Sequence, residues 1–177
     1  MCVAEPNQLR EALRADWARN PNRDSRATLL VWRLGQAAHR SRTPVGFVLR
    51  RLHSVLDVLW VRAYVGAELP RSVRAGPGLR LPHAGRGVVL HPDCRLGSGV
   101  TLYHQVTMGV RGERPPPRVG DRVSIGAGAA LLGDIEVGDG ATVGARSVVV
   151  ADVEPGSTVV GAPARATASS RRGTRSS

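Results

Sequence analysis

The sequence predicts an α+β protein in which a short N-terminal helical segment, residues 1–65, precedes a parallel β-helix, residues 66–165. Apolar residues in the first segment recur at helical spacing, whereas from Val119 to Val149 every sixth residue is aliphatic. The 177 residues include 21 Gly and 12 Pro, which indicates a turn-rich architecture. Hydrophobic residues make up 42% of the chain and aromatic residues only 3%, so the core must consist of small aliphatic side chains.

Three helices are predicted in the first segment. The first covers Leu9–Ala18, and the second begins with Asp24 or Ser25 as its N-cap and runs to about His39. The third starts at Pro44, and its apolar positions keep a spacing of three or four, which predicts a packing helix. These positions are Val45, Val48, Leu49, Leu52, Leu56, Leu59 and Val61.

A six-residue repeat dominates the second segment. Its aliphatic positions are Val119, Ile125, Leu131, Val137, Val143 and Val149, and an earlier register contains Leu90, Leu96, Leu102 and Met108. Six residues form one flat side of a triangular coil, and three sides make a coil of eighteen residues whose strands stack in parallel. The aliphatic side chains then point into the prism and form its core.

The two registers are out of phase at Gly109–Arg118. Met108 and Val119 are eleven residues apart, and three consecutive prolines in this stretch are incompatible with a regular strand. We therefore predict an external loop, and loops on a rigid scaffold often carry function.

The positive charge is unevenly distributed. All 25 basic residues are Arg, and of the net charge of +11, residues 1–65 carry +6, residues 66–164 carry +1 and residues 165–177 carry +4. Nucleic-acid binding is disfavoured, because the coil is nearly neutral and aromatic residues for stacking are scarce. Contact of the basic helices with an anionic membrane surface stays open. The tail, residues 166–177, is polar and rich in Arg and is expected to be disordered.

Cysteine content and hydropathy favour a cytoplasmic protein with reduced thiols. Cys2 and Cys94 are too few and too far apart for a disulfide framework, and Cys94 is expected to pack at a corner of the coil. The N-terminus shows no signal-peptide pattern, and no apolar stretch is long enough for a transmembrane helix.

Two histidines are candidates for chemistry. His83 and His104 each follow an inward aliphatic residue by two positions, and they are 21 residues apart, three more than one coil. If Gly85–Gly87 forms a three-residue bulge, the two imidazoles lie one coil apart on the same side. Such a pair favours a general base, with a structural histidine pair as the alternative.

The remaining histidines are predicted to have no catalytic role. His39 and His53 lie on helices among arginines and are expected at the surface, and His91 is expected at a solvated corner. The spacings of the five histidines do not suggest a zinc site, so no metal is expected.

Four stretches of the chain resemble the hexapeptide-repeat acyltransferases, in particular their serine O-acetyltransferase branch. They are GPGLRLPHAGRGVVL, GSGVTLYHQVTMGVRG, VGDRVSIGAGAALLGDIEVGDGATVGARSVV and DVEPGSTVVGAPAR, and the likeness extends from about Glu68 to Arg165. The resemblance implies a left-handed β-helix, a homotrimer, and acetyl-CoA bound as a substrate between neighbouring β-helices.

The same resemblance implies roles for individual residues. His83 falls on the catalytic base and Glu68 on the carboxylate that orients it, and His104 is a candidate to assist. The positions implied for acetyl-CoA are Thr107, Gly109, Arg111, Ala127, Ala145 and Arg165.

The chain departs from the family pattern around the acceptor. The family has Asp where this chain has Pro82, and an Arg-His pair where it has Pro115 and Pro116; Arg114 or Arg118 is a candidate replacement for the Arg. We therefore expect an acetyl-CoA-dependent O-acetyltransferase acting on L-serine, with a sugar, polysaccharide-precursor or other metabolite hydroxyl as the alternative acceptor. A non-catalytic β-helical scaffold is a further alternative.

Overall fold

A computed structural model describes residues 6–40 and 44–167. Helices α1 (Pro6–Arg19), α2 (Arg23–Arg40) and α3 (Pro44–Leu56) come first, and α3 continues as a π-helix, Asp57–Val65. The π-helix ends at Gly66, whose φ of 69° is left-handed, as is common at helix C-termini. The predicted three-helix segment is confirmed, and the predicted disordered tail lies outside the described residues apart from positions 166 and 167.

Thirteen short strands build the second part of the described chain. They are β1 (Arg74–Ala75), β2 (Val89–Leu90), β3 (Arg95–Leu96), β4 (Thr101–Leu102), β5 (Thr107–Gly109), β6 (Arg118–Val119), β7 (Ser124–Ile125), β8 (Ala130–Leu132), β9 (Glu136–Val137), β10 (Thr142–Val143), β11 (Val148–Val149), β12 (Thr158–Gly161) and β13 (Ala164–Ala166). A short 3₁₀ turn, Pro82–Gly85, precedes β2.

The strands form three walls of a triangular prism. Wall 1 has the order β1-β3-β6-β9, wall 2 the order β4-β7-β10-β12-β13 and wall 3 the order β2-β5-β8-β11. Every pairing between these strands is parallel except that of β12 with β13, which closes the last coil as an antiparallel hairpin. The repeat of eighteen residues appears directly in the register, for example in Arg118 opposite Glu136 and in Ser124 opposite Thr142.

The interior of the prism contains the aliphatic positions predicted from the six-residue repeat. Ile125 and Leu131 are fully buried, and Val119 is 5% exposed. The small side chains of Ala129 and Ala141 are also fully buried. The predicted core of the coil is therefore confirmed.

The two predicted irregularities also lie where the sequence placed them. Arg80 pairs with Thr101, 21 residues later, so three extra residues are accommodated around the turn that follows Leu81. Residues 111–115 form an exposed loop in which Arg111 and Arg114 face each other across an antiparallel bridge.

Two expectations about the helices are wrong. His53 is buried, because α3 packs so closely on α2 that a Cβ placed on Gly35 would lie 2.5 Å from His53 Cε1. In addition, α2 begins at Arg23, so neither Asp24 nor Ser25 is its N-cap, and Ser25 binds the coil instead. Within the described residues, no helix has the length and apolarity needed to cross a membrane.

One face of the third helix is exposed in the single chain. Its side chains, which we call the α3 apolar face, are Phe47, Val48, Leu52, Val55 and Leu59, all more than half exposed. The sequence predicted a packing helix, yet the packing partner of this face is not supplied by the described residues of the same chain.

Candidate active site

A strained turn presents His83 at the corner between walls 2 and 3. His83 and Ala84 have φ values of 58° and 62°, a left-handed conformation that side chains rarely adopt, and Gly85 follows at 75°. Non-glycine residues in this region cost about 1–3 kcal/mol and occur often at functional sites. The turn exposes His83 to solvent while Ala84 and Gly85 are buried beneath it.

The first turn of α2 holds this strained corner in place. Ser25 Oγ donates a hydrogen bond to the carbonyl of Leu81 at 2.9 Å and accepts one from the backbone N–H of Ala84 at 3.3 Å. Ser25 is buried, so both bonds are shielded from water. The helical segment thereby fixes the backbone on both sides of His83.

His104 lies one coil further along the same corner. Its ring centroid is 5.3 Å from that of His83, and the two ring planes are nearly perpendicular at 87°. His104 Nδ1 is buried and has no hydrogen-bond partner within the described residues. The sequence prediction that the two imidazoles are neighbours is confirmed.

The imidazole rings of His83 and His104 line a cleft of about 830 Å³ between α2 and the coil. The charged residues that line it are Arg23 and Asp24 at the start of α2 and Arg86 in the bulge after His83. Asn22, Ser25 and Gln105 add polar groups. The cleft thus combines a pair of imidazoles with both signs of charge.

Sequence reasoning missed the charged lining of this cleft. Arg86 could have been found, since it occupies the bulge that the spacing of His83 and His104 already located. Asp24 could not, because only the docking of α2 on the coil brings it beside His83.

Glu68, the predicted partner of His83, lies at the first position of wall 3. Its backbone N–H donates to the carbonyl of Val88 at 2.8 Å, and its carbonyl accepts from Leu90 at 3.0 Å. Its side chain is exposed, and within residues 6–40 and 44–167 no hydrogen bond or ion pair joins it to His83. The orienting role of Glu68 stays a prediction.

Several positions implied for acetyl-CoA lie along the same corner or on wall 3. Ala127 and Ala145 occupy the corner one and two coils beyond His104, since Gly128 donates to His104 and Arg146 donates to Ala127. Thr107 and Gly109 lie on wall 3, in β5. Arg165, in β13, is exposed at the last coil.

The predicted acceptor-binding arginines lie elsewhere. Arg118 forms ion pairs on wall 1 with Glu136 at 3.0 Å and Asp134 at 3.3 Å. Arg114 is exposed in the external loop that follows wall 3, together with Arg111, which the resemblance implies for acetyl-CoA and not for the acceptor. None of the three lines the cleft of its own chain. Among the described residues, no group of three His, Cys, Asp or Glu side chains could hold a metal ion.

Comparisons with known proteins agree with this architecture. The sequence model for "Bacterial transferase hexapeptide (six repeats)" matches residues 116–151. A serine acetyltransferase of Helicobacter pylori strain J99 is 39% identical over 140 residues, which are 77% of this chain and 77% of that protein.

Solved structures show the same likeness. The soybean serine acetyltransferase complexed with serine is 34% identical, with a TM-score of 0.72 over 93% of this chain and 72% of that one. A serine acetyltransferase in complex with CoA is 26% identical, with a TM-score of 0.69 over 91% of this chain and 69% of that one. The fold is accordingly a helical segment followed by a left-handed parallel β-helix. With this fold and these relatives, the chain belongs to the serine O-acetyltransferase branch of the hexapeptide-repeat acyltransferases.

Proposed function

We propose that this acyltransferase transfers the acetyl group of acetyl-CoA to the hydroxyl of L-serine, giving O-acetylserine and CoA. The observation that carries the proposal is the exposed imidazole of His83 beside His104 at the mouth of the 830 Å³ cleft. A relative at 39% identity is named a serine acetyltransferase, and related structures contain serine or CoA.

His83 acts as the general base in this proposal. It accepts the proton of the acceptor hydroxyl as the oxygen attacks the thioester carbonyl carbon, and a tetrahedral intermediate forms. Collapse of the intermediate breaks the C–S bond, and the imidazolium returns the proton to the departing thiolate. Backbone N–H groups of the glycine-rich corner stabilise the negative oxygen.

His104 assists by hydrogen bonding. Its Nδ1 has no hydrogen-bond partner within the described residues, so it is available to a group bound between the two rings.

Glu68 remains the proposed orienting carboxylate of His83. The variant Glu68→Gln tests this role, and we expect it to lower kcat and to leave KM for acetyl-CoA unchanged.

Acetyl-CoA is proposed to lie along the corner that runs from His104 through Ala127 to Ala145. Thr107 and Gly109 on wall 3 form one side of its path, Arg111 reaches it from the loop, and Arg165 meets a phosphate of CoA. Arg114 remains a candidate for acceptor binding from a neighbouring chain, whereas the ion pairs of Arg118 compete with that role.

We further propose a homotrimer in the cytoplasm. The α3 apolar face is exposed in one chain, and exposed apolar clusters of this kind commonly mark interfaces. Light scattering coupled to size-exclusion chromatography distinguishes a trimer from a monomer. A liposome co-sedimentation assay tests the competing assignment of this face to an anionic membrane.

Thiol release tests the proposed reaction. Enzyme mixed with acetyl-CoA and L-serine is expected to release free CoA, and His83→Ala should lower kcat by about 10²–10⁴-fold, the usual contribution of a general base. The variant should keep its retention on immobilised CoA. His39→Ala is the matched control, because His39 is an exposed histidine on α2 outside the cleft. An unchanged rate for His83→Ala contradicts the mechanism.

A second acceptor class is favoured by one observation. Pro115 and Pro116, where the resembling family has an Arg-His pair, offer no charge or donor, and Pro116 is buried. Turnover with a sugar or polysaccharide-precursor hydroxyl, together with none for L-serine, would select that alternative.

A further inference from the structure

We infer that Asp24 and Arg86 select the acceptor by binding the ammonium and the carboxylate of a hydroxy amino acid on either side of the His83–His104 pair. The inference rests on the proposed serine acetyl transfer and assigns its specificity to two residues outside the predicted site. Asp24 belongs to the helical segment and Arg86 to the coil, so the acceptor is bound where the two parts of the chain meet.

Asp24 is held beside the imidazoles by its neighbour in sequence. Ser25 makes hydrogen bonds of 2.9 and 3.3 Å to Leu81 and Ala84, the residues that flank Pro82 and His83. Asp24 lines the same cleft as His83 and His104, and its side chain is exposed there. A carboxylate on the first turn of α2 therefore lines the cleft that also contains the reacting imidazoles.

Arg86 is tied to both histidine-bearing segments. Its backbone N–H donates to the carbonyl of His83 at 3.2 Å, and its own carbonyl accepts from Gln105, the residue after His104, at 2.8 Å. Its guanidinium lies 5.5 Å from the ring centroid of Tyr64, a cation–π contact that restricts its side chain without neutralising it.

Neither Asp24 nor Arg86 forms an ion pair within the described part of the chain. Asp24 is the sole carboxylate among the described residues that line the cleft. A hydroxy amino acid at neutral pH carries one ammonium and one carboxylate, and each must find an opposite charge when it leaves water. Pro82, next to His83, cannot supply one.

Arg23 also lines the cleft and adds a second positive charge. A cleft with two guanidiniums and one carboxylate could instead favour an acceptor that carries only negative charge. Comparison of acceptors that lack one charge or the other separates these cases.

Steady-state kinetics with three acceptors tests the inference. L-serine has both charges, ethanolamine lacks the carboxylate, and D-glycerate lacks the ammonium. Charged hydrogen bonds contribute enough that removal of one should raise KM by about tenfold or more. Asp24→Asn should raise KM for L-serine and ethanolamine but not for D-glycerate, and Arg86→Gln should raise it for L-serine and D-glycerate but not for ethanolamine.

Glu11→Gln and Arg14→Gln are the matched controls, because both residues are exposed on α1 and outside the cleft. They should leave all three KM values unchanged. Retention on immobilised CoA should be the same for every variant, which separates acceptor binding from a folding defect.

The possible failures are distinguishable. If the wild-type enzyme turns over L-serine and Asp24→Asn affects all three acceptors equally, or none, the assignment of Asp24 is overturned while the proposed function stands. Preference of the wild type for D-glycerate over L-serine overturns the zwitterion assignment. Absence of turnover with all three acceptors overturns the proposed function and the inference together.

Discussion

Asp16 and Arg33 form a buried ion pair across the first two helices, with Arg33 Nε 2.8 Å from Asp16 Oδ2. Both side chains are almost completely buried, and both also bind the coil. Asp16 Oδ1 accepts from the backbone N–H of Leu79 at 2.8 Å, and Arg33 donates to the carbonyls of Ala75 and Gly76 at 2.9 and 2.6 Å. The pair therefore joins α1, α2 and the first coil.

Other polar side chains of the helices bind the same open edge. Asn20 accepts from Leu81 N at 3.0 Å and donates to Leu79 O at 2.8 Å, and Gln36 donates to Val73 O at 2.7 Å. The first coil of a β-helix has no preceding coil to pair with, and unpaired strand edges invite aggregation. Side chains from α1 and α2 take the place of the missing coil.

Asp16→Asn should strongly destabilise the protein. The substitution leaves Arg33 charged, buried and without its counter-ion, and loss of one partner of a buried pair costs about 3–5 kcal/mol. Urea unfolding at a fixed protein concentration measures the change in the free energy of unfolding. A loss below about 1 kcal/mol would contradict the view that the pair is buried in solution.

The double variant Asp16→Leu/Arg33→Leu separates two explanations of that loss. If only the unpaired charge matters, removing both charges restores much of the stability. Because both side chains also bind the backbone of Ala75–Leu79, we expect the double variant to stay destabilised.

Ser25→Ala should lower kcat even under conditions in which the variant remains fully folded. The substitution leaves Leu81 O and Ala84 N without their partner, at about 1–3 kcal/mol, and frees the strained turn that carries His83. We expect a lower kcat at saturating acetyl-CoA. Ser54→Ala is the control, since Ser54 likewise donates to a backbone carbonyl, that of Arg50 at 2.8 Å, but lies on the exposed side of α3. Equal kcat values for both variants would argue against a positioning role for Ser25.

The coil could be predicted from the sequence because every coil repeats the same local rule. An inward aliphatic residue at each sixth position is sufficient to form a wall, so positions such as Ile125 and Leu131 identify the core without tertiary information. The irregularities were equally visible, because an insertion changes the count between equivalent residues. This is how the spacing of His83 and His104 located the bulge.

The contacts between helices and coil could not be predicted in this way. The hydrogen bonds of Asp16 and Ser25 join residues that are 63 and 56 positions apart in the sequence. A periodic pattern of apolar residues does not predict which side chains pair over such distances. Local rules offer Asp24 or Ser25 as the N-cap of α2, because both stand near the start of a helical pattern, whereas the partners of Ser25 are Leu81 and Ala84 of the coil. The arginine neighbours of His53 predict a surface position, although the missing side chain of Gly35 makes room for its ring.

His53 should make the protein less stable at mildly acidic pH. Burial lowers the pKa of His53, an effect that Arg71 reinforces and Asp57 opposes. In the unfolded chain histidine has a pKa of about 6.5, so below that pH the unfolded state binds a proton that the folded state resists. The free energy of unfolding should therefore fall as the pH decreases from about 7 to about 5.

His53→Gln should flatten this dependence, which urea unfolding at several pH values measures. One proton of difference corresponds to at most about 1.4 kcal/mol per pH unit. His39→Gln is the matched control, because it makes the same replacement at an exposed histidine on the neighbouring helix α2. Parallel curves for the wild type and His53→Gln would show that another group causes the acid sensitivity.

Cys94 should resist alkylation in the folded protein. It is 1% exposed at the corner before β3, and burial raises the pKa of its thiol to about 11, with Asp93 adding to the rise. At pH 8 only about one thiol in a thousand is then a thiolate, the form that reacts with iodoacetamide. Mass spectrometry of the Cys94 peptide should show little label under native conditions and full label in urea. Rapid labelling under native conditions would mean that the corner at Cys94 unfolds locally. The pairing of the adjacent strand β3 with β1 and β6 in wall 1 would then also be disrupted.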